Sequence, residues 1–203
     1  MAQDAAPQVL QLKVALAEIK PPIWRRLRVP AKLTLAQLHR VIQLAFGWED
    51  CHLHVFRIRG EDYGPADPDS VGETRSERVA LAKLGLKAKA KFTYEYDLGD
   101  LWEHQITVEA VEPAEGGDAP ACLAGKRACP PEDCGGPWGF QDLIAAMGDP
   151  EHPGHLDIKE WLGTDHWDAE AFFLDQINAA LAEAFGPARK GKPREPEAGS
   201  RHS

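Results

Sequence analysis

Two stretches near the start of the chain alternate apolar and polar residues, the pattern of a half-buried β-strand. Residues 9–18 read VLQLKVALAE and residues 23–29 read IWRRLRV, with Pro21 and Pro22 between them. The two prolines interrupt the alternation because proline cannot donate a ladder hydrogen bond. The pattern therefore predicts a β-hairpin whose second strand carries Arg25 on its apolar face.

The clearest helical pattern covers residues 34–48, TLAQLHRVIQLAFGW. Thr34 is a good N-cap residue, and Gly47 suits the position that follows a helix. Apolar residues recur between them at helical spacing, namely Leu35, Leu38, Val41, Ile42 and Ala45. This stretch predicts an amphipathic helix that packs on the sheet.

The rest of the chain separates into strands first and helices later. Further strands are predicted at 52–59, 91–98 and 102–111, and further helices near 140–147, 156–162 and 168–185. The intervening segments are predicted to be loops, a polar one at 60–80 and another at 115–137. A short turn or helix at 80–86 follows the first loop. Strands followed by helices, without alternating βαβ units, predict an α+β architecture.

The length and composition fit one soluble globular domain. The chain has 203 residues, of which 43% are hydrophobic and 27% charged, enough for one sizeable core. We assign residues 9–185 to this domain, with a flexible N-terminus at 1–8. Residues 186–203 carry five Lys or Arg against two Glu among Pro, Gly and Ser, and are predicted to be a disordered basic tail.

Charge and hydropathy limit the partners. No run approaches the roughly 18 apolar residues of a membrane span, and the start of the chain does not resemble a signal peptide. We therefore expect a cytoplasmic protein that is not associated with a membrane. The net charge of -9 argues against nucleic acid as a partner, except through the basic tail.

Histidines occupy strand faces that otherwise look apolar. His52 and His54 share a face of their strand, and His104 lies beside Trp102 on the apolar face of another. Asp97 and Asp100 lie in or beside the turn before that second strand. If the strands are neighbours, a divalent metal ion such as Zn²⁺ could be bound by five residues, His52, His54, His104, Asp97 and Asp100. The alternative is a hydrogen-bonded polar cluster without metal.

Arg25 also needs an explanation, because a charge on an apolar strand face is costly unless it is paired. A carboxylate of Asp97, Asp100 or Glu132 could accept its guanidinium in a bidentate contact. The alternative is a strand register that leaves Arg25 exposed at an edge.

The segment CPPEDCGGPWGF, residues 129–140, contains two of the four cysteines. The spacing of Cys122, Cys129 and Cys134 is poor for structural zinc and does not form a CxxC redox motif. We interpret these three as mostly buried structural thiols, with a mixed Cys/His metal site as the alternative. Pro130 and Pro131 stiffen the segment, which is predicted to seat the next helix, with Trp138 anchored on the core and Glu132 or Asp133 facing the histidines.

Four motifs together resemble the plasmid pRiA4b ORF-3-like family, whose members are also labelled insertion-element passenger TnpR-type proteins. They are PPIWRRLRVP, LAQLHRVIQLAFGWEDCHLHVFRI, YEYDLGDLWEHQITVE and CLAGKRACPPEDCGGPWGF, in that order. Leu98 stands where the family usually has Phe, which keeps an apolar residue. The resemblance implies one compact α+β domain with a curved, mostly antiparallel sheet and packed helices, and it implies no established activity.

The TnpR label suggests a resolvase, and the residues disfavour one. The serines, at 70, 76, 200 and 203, lie in a turn-rich loop and the tail, and the tyrosines, at 63, 94 and 96, all lie early in the chain. A recombinase would need one of these as a nucleophile in a structured catalytic site.

The favoured hypothesis is a non-enzymatic binding or adaptor module associated with mobile elements, with an unknown protein or small molecule as partner. The alternative is a metal-dependent hydrolase or nuclease that uses the His/Asp cluster. The candidate site residues are Arg25, His52, His54, Asp97, Asp100, Trp102, His104, Glu132 and Asp133.

Overall fold

The structure is a computed structural model that describes residues 7–65, 74–114 and 119–186. The flexible N-terminus, the polar loop and the basic tail that the sequence predicts each lie at least partly outside these residues. The described strands are β1 (Gln8–Leu16), β2 (Trp24–Pro30), β3 (His54–Ile58), β4 (Glu61–Gly64), β5 (Arg75–Ser76), β6 (Lys91–Tyr96), β7 (Trp102–Pro113) and β8 (Ala121–Lys126). The described α-helices are α1 (Leu35–Phe46), α2 (Gly136–Gly148), α3 (His155–Leu162) and α4 (Leu174–Phe185).

All the described strands form one sheet, in the order β5-β4-β3-β6-β7-β1-β2-β8. Neighbouring strands are antiparallel except for the parallel pair of β4 and β5. The predicted hairpin of β1 and β2 is confirmed, with Leu12 paired to Leu27. The predicted α+β class and the mostly antiparallel sheet are therefore confirmed.

Helix α1 forms as the sequence predicts. Thr34 Oγ1 accepts the backbone N–H of Gln37 at 3.2 Å, and Gln37 Oε1 accepts the backbone N–H of Thr34 at 3.0 Å. This reciprocal capping box satisfies two donors that the first turn leaves without intrahelical partners. Gly47 ends the helix at φ 80°, a left-handed conformation that suits glycine. The apolar stripe of α1 is buried in the core.

The prediction was wrong for β8, which lies within a segment that we expected to be a loop. Its sequence, ACLAGK, has small residues and no β-branched side chain, so it carries little strand signal. Its ladder is instead long-range, since Arg25 of β2 pairs with Gly125. A Cβ at Gly125 would lie 2.5 Å from the ring of Phe172, so glycine allows this ring to pack closely on the strand.

The outer edge of β8 is covered by α4. The Asn178 amide accepts the backbone N–H of Cys122 at 2.8 Å and donates to the backbone carbonyl of the same residue at 3.0 Å. The Asn178 side chain thus takes the place of a further strand. Without it, the backbone N–H and C=O of Cys122 would be unpaired at the sheet edge.

Helix α2 begins four residues earlier than predicted, and this corrects the expected role of Trp138. Gly136, Phe140 and Leu143 lie on its buried face at helical spacing. Trp138 lies off that face and is 81% exposed, so it does not anchor the segment on the core. Phe140 has that role instead. None of the described helices is both long and apolar enough to cross a membrane.

Candidate functional site

The turn between β6 and β7 is fixed by its own carboxylates. Asp97 has a positive φ of 56°, and its Oδ1 accepts the backbone N–H groups of Gly99 at 2.9 Å and Asp100 at 3.2 Å. Asp100 Oδ2 in turn accepts the backbone N–H of Gly135 at 3.2 Å. The turn is therefore fastened to the segment that leads into α2.

Gly136 allows these two segments to approach each other closely. A Cβ at this position would lie 2.5 Å from the backbone oxygen of Asp100, and the residue has a φ of 67°. Both facts require glycine, because the contact is with backbone that cannot move aside cheaply. The turn at Gly135 and Gly136 therefore brings the start of α2 against the β6–β7 turn.

Glu132 connects the same segment to the other side of the site. Its Oε1 accepts the hydroxyl of Tyr96 at 2.5 Å, and its Oε2 accepts the backbone N–H of Glu49 at 3.1 Å. Burial and the Glu132 carboxylate raise the pKa of Tyr96, so this hydroxyl stays protonated and donates. These contacts attach Glu132 to β6 and to the segment that follows α1.

His52 lies between two carboxylates. Its Nε2 is 3.6 Å from Asp97 Oδ2 and 3.1 Å from Asp133 Oδ1. The three groups come from the segment before β3, the β6–β7 turn and the 129–135 segment, which the contacts above hold together. We call the set of five residues the rim: His52, Asp97, Asp100, Glu132 and Asp133.

The structure does not bring His54 into the rim, so the predicted five-residue metal set was wrong. His54 Nε2 lies 2.7 Å from Glu77 Oε2, and its ring stacks on that of His39 with centroids 3.6 Å apart. His39 in turn contacts Asp50 at 2.5 Å and the hydroxyl of Tyr94 at 2.7 Å. This is a hydrogen-bonded polar cluster, the alternative that the sequence left open.

His104 is also absent from the rim, because it is fully buried in the core. Its Nδ1 faces the backbone oxygens of Trp102 at 2.9 Å and Tyr94 at 3.2 Å, so this nitrogen carries the proton and donates. Phe46 and Trp48 pack edge-on against the ring. Burial lowers the pKa of His104 to about 4. Trp102 is a buried core residue as well, not a rim residue.

Arg25 has no carboxylate partner within the described residues, and its expected ion pair with Asp97, Asp100 or Glu132 was wrong. It is 3% exposed and lies between the rings of Phe46 and Phe172. Its guanidinium donates instead to backbone oxygens and one sulfur, those of Trp24, Ala45, Lys126, Arg127 and Cys129. Every N–H is satisfied, so Arg25 ties β2 to α1 and to the end of β8.

The three cysteines of the predicted thiol set are all unpaired. Cys122 is buried, and Cys129 and Cys134 are half-buried. Burial raises the pKa of Cys129 and of Cys134 to about 12, which keeps both as thiols near neutral pH. Cys51, which is exposed, is the cysteine that lies beside the rim, with its Sγ 3.5 Å from Glu132 Oε2.

Exposed apolar side chains lie close to the rim in the chain, and the sequence did not predict their exposure. Leu98 and Leu101 belong to the β6–β7 turn, and Leu53 accepts the backbone N–H of Asp97 through its carbonyl. Trp138 lies in the first turn of α2, three residues after Gly135, whose backbone N–H donates to the Asp100 carboxylate. All four side chains are about half exposed or more. Large apolar residues in turns could have indicated these positions, because turns lie at the surface, where burial is not expected.

Comparisons with known proteins agree with this fold. A family model described as plasmid pRiA4b ORF-3-like protein matches residues 8–176. Uncharacterized protein y4hQ of Sinorhizobium fredii (strain NBRC 101917 / NGR234) is 41% identical over 175 residues, 85% of this chain and 90% of that protein.

A solved structure is similar as well, that of the protein of unknown function MM3350 from Methanosarcina mazei Go1. It matches with a TM-score of 0.73 and 36% identity, over 84% of this chain and 98% of that chain. Both relatives match over nearly their whole length, and the family model spans the chain from β1 to the first residues of α4.

Proposed function

This chain belongs to the plasmid pRiA4b ORF-3-like family, and from that premise we propose that it is a non-enzymatic binding module whose rim docks a protein segment with basic and apolar side chains. The observation that carries this proposal is a group of carboxylates bordered by exposed leucines and a tryptophan. An association with mobile elements, in the sense of an adaptor, is part of the proposal.

The charge of the rim supports a basic partner. Asp97, Asp133 and Glu132 form no ion pair with a Lys or Arg among the described residues. The chain as a whole has a net charge of -9, which favours encounter with positively charged segments. The same charge opposes docking of nucleic acid at this surface.

The apolar border supplies the area that such a contact needs. Tryptophan and leucine side chains contribute to binding by removing apolar surface from water, and tryptophan is enriched at binding hot spots. Trp138 is the most exposed large apolar side chain among the described residues. It lies at the start of α2, where backbone contacts to Asp100 hold the helix in place, so little ordering is needed on binding.

A metal-dependent hydrolase is less well supported. That hypothesis relied on five ligands, but His54 contacts Glu77 and His39 instead, and His104 is buried in the core, so neither lies with His52. The rim therefore offers one histidine in place of the three that this hypothesis assumed. Binding without turnover is therefore the function that the geometry supports best.

The proposal is tested by peptide selection. Random peptides displayed on phage are selected on the wild-type protein, and enriched sequences are synthesised and measured by calorimetry. We expect enrichment of peptides that combine Lys or Arg with aliphatic or aromatic residues, and at least about 10-fold weaker binding to a Trp138→Ala variant.

A matched control is Trp161→Ala, since Trp161 is also an exposed tryptophan but lies on α3. This variant is expected to bind the selected peptides as the wild type does. Peptides that bind both variants equally, or a selection that enriches acidic peptides, would contradict docking at the rim.

A further inference from the structure

We propose that His52, Asp97 and Asp133 bind a divalent transition-metal ion such as Zn²⁺. The three ligand atoms lie within 4.8 Å of one another. The measured separations are 3.6 Å from His52 Nε2 to Asp97 Oδ2 and 3.1 Å from the same nitrogen to Asp133 Oδ1. Two ligands at about 2.1 Å from a tetrahedral ion are about 3.4 Å apart. The separations therefore differ from those of a shared ion by only a few tenths of an ångström.

The histidine nitrogen gives an independent reason. His52 Nε2 is buried, yet it makes no well-directed hydrogen bond within the described residues. A buried polar atom without a partner is costly, and one that faces two carboxylate oxygens has the surroundings of a metal ligand.

The two carboxylate oxygens of Asp97 have different roles. Oδ1 accepts the backbone N–H groups of Gly99 and Asp100, so it is occupied and the carboxylate plane is fixed. Oδ2 remains and faces His52. Hydrogen bonds of this kind, made to a ligand's other atom, orient it before the ion arrives.

The charges also call for a cation. Two carboxylates beside one imidazole carry two negative charges when the imidazole is neutral, and within the described part of the chain neither aspartate pairs with Lys or Arg. A divalent ion would balance both charges. The imidazole favours zinc or a similar ion over Mg²⁺ or Ca²⁺, which prefer oxygen ligands alone.

A second group, Cys51, His52 and Glu132, shares the histidine. We assign the ion to the aspartates because Glu132 already accepts hydrogen bonds from Tyr96 and Glu49 on separate oxygens. Three protein ligands leave a fourth position for water. The inference goes beyond the proposed function, and either one can hold without the other.

The test is calorimetric titration of untagged, chelator-treated protein with Zn²⁺ alone. The wild type is expected to bind one ion with saturation, and His52→Gln and Asp133→Asn at least about 10-fold more weakly. Asp133→Asn is the variant least able to disturb folding, since the side chain is 69% exposed and asparagine tolerates the positive φ of this residue. The thermal midpoint should rise with Zn²⁺ in the wild type and not in these two variants.

His152→Gln is the matched control, because His152 lies 3.5 Å from a carboxylate of Asp142 at another place on the surface. It should bind Zn²⁺ as the wild type does, and so should Trp138→Ala, which separates this site from peptide docking. Absence of saturable binding, equal binding by His52→Gln and Asp133→Asn, or equal binding of Mg²⁺ would overturn the assignment.

Discussion

At the scale of single residues, His104 shows how burial decides protonation. The imidazole has no exposed surface, its Nδ1 donates to backbone oxygens, and its Nε2 has no partner within the described residues. Nothing near it would stabilise a second proton, so the neutral form is strongly favoured. The apolar face that carries His104 predicted this burial; it did not distinguish a ligand from a core residue.

This burial predicts a pH dependence of stability. The unfolded chain takes up a proton at His104 near pH 6.5, whereas the folded chain does so only near pH 4. Between these values the unfolded state binds more protons, so the free energy of unfolding falls as the pH falls. At pH values above this window the contribution is fully retained. The loss attributed to His104 should reach about 2–3 kcal/mol toward pH 4.

Urea denaturation at a series of pH values measures this effect. A His104→Gln variant, which keeps an N–H donor, should show a shallower decline than the wild type. Some slope will remain, because burial and the neighbouring His54 also lower the pKa of His39. Parallel declines in the two proteins would refute the role of His104.

At the scale of elements, β8 shows what local pattern cannot predict. Strands β1, β2, β6 and β7 and helix α1 follow from alternation, spacing and caps within their own sequences. β8 is a strand because β2 pairs with it and Phe172 covers it, contacts between residues far apart in the chain. Its glycine and alanines, which locally disfavour a strand, are what allow that close packing.

Gly125→Ala tests this account of β8. The added methyl group would meet the Phe172 ring at 2.5 Å and the Arg25 side chain at 2.9 Å. We expect the free energy of unfolding to fall by about 1–3 kcal/mol through overpacking. Gly148→Ala is the control, since no atom lies within 4 Å of its added carbon, and it should change stability by less than about 0.5 kcal/mol. Equal effects in urea denaturation would contradict the proposed packing.

At the scale of the whole molecule, one core extends from β1 to α4, and Arg25 ties its parts together. Arg25→Lys keeps the charge but cannot reach all of the acceptors that the guanidinium fork reaches. We expect a loss of about 3 kcal/mol or more, because a buried ammonium and several carbonyls would lack partners. Unfolding should remain a single transition.

The measurement is denaturation followed by both far-ultraviolet circular dichroism and tryptophan fluorescence, which should give coincident midpoints. Arg28→Lys is the control, because Arg28 lies on the outward face of the same strand. Two separated transitions in the Arg25→Lys variant would show that the core is divided.

Only part of the rim could be predicted from the sequence, because its histidine depends on where a strand of the sheet begins. His52, Asp97, Asp100, Glu132 and Asp133 were all named from the sequence, since polar residues beside turns and strand ends were expected to meet. Which histidines joined them depended on where strand β3 begins. It starts at His54, so His52 lies before the strand and is turned toward the carboxylates, while His54 lies within the ladder and faces the core.

The amide of Asn178 has a consequence for how other chains can attach to this one. Many recognition domains acquire a partner by adding its backbone to an open sheet, so that the ladder continues from one molecule into the next. At Cys122 that continuation is already taken by a side chain of the same molecule. Addition of a strand from another chain is thereby blocked at this point of the β8 edge.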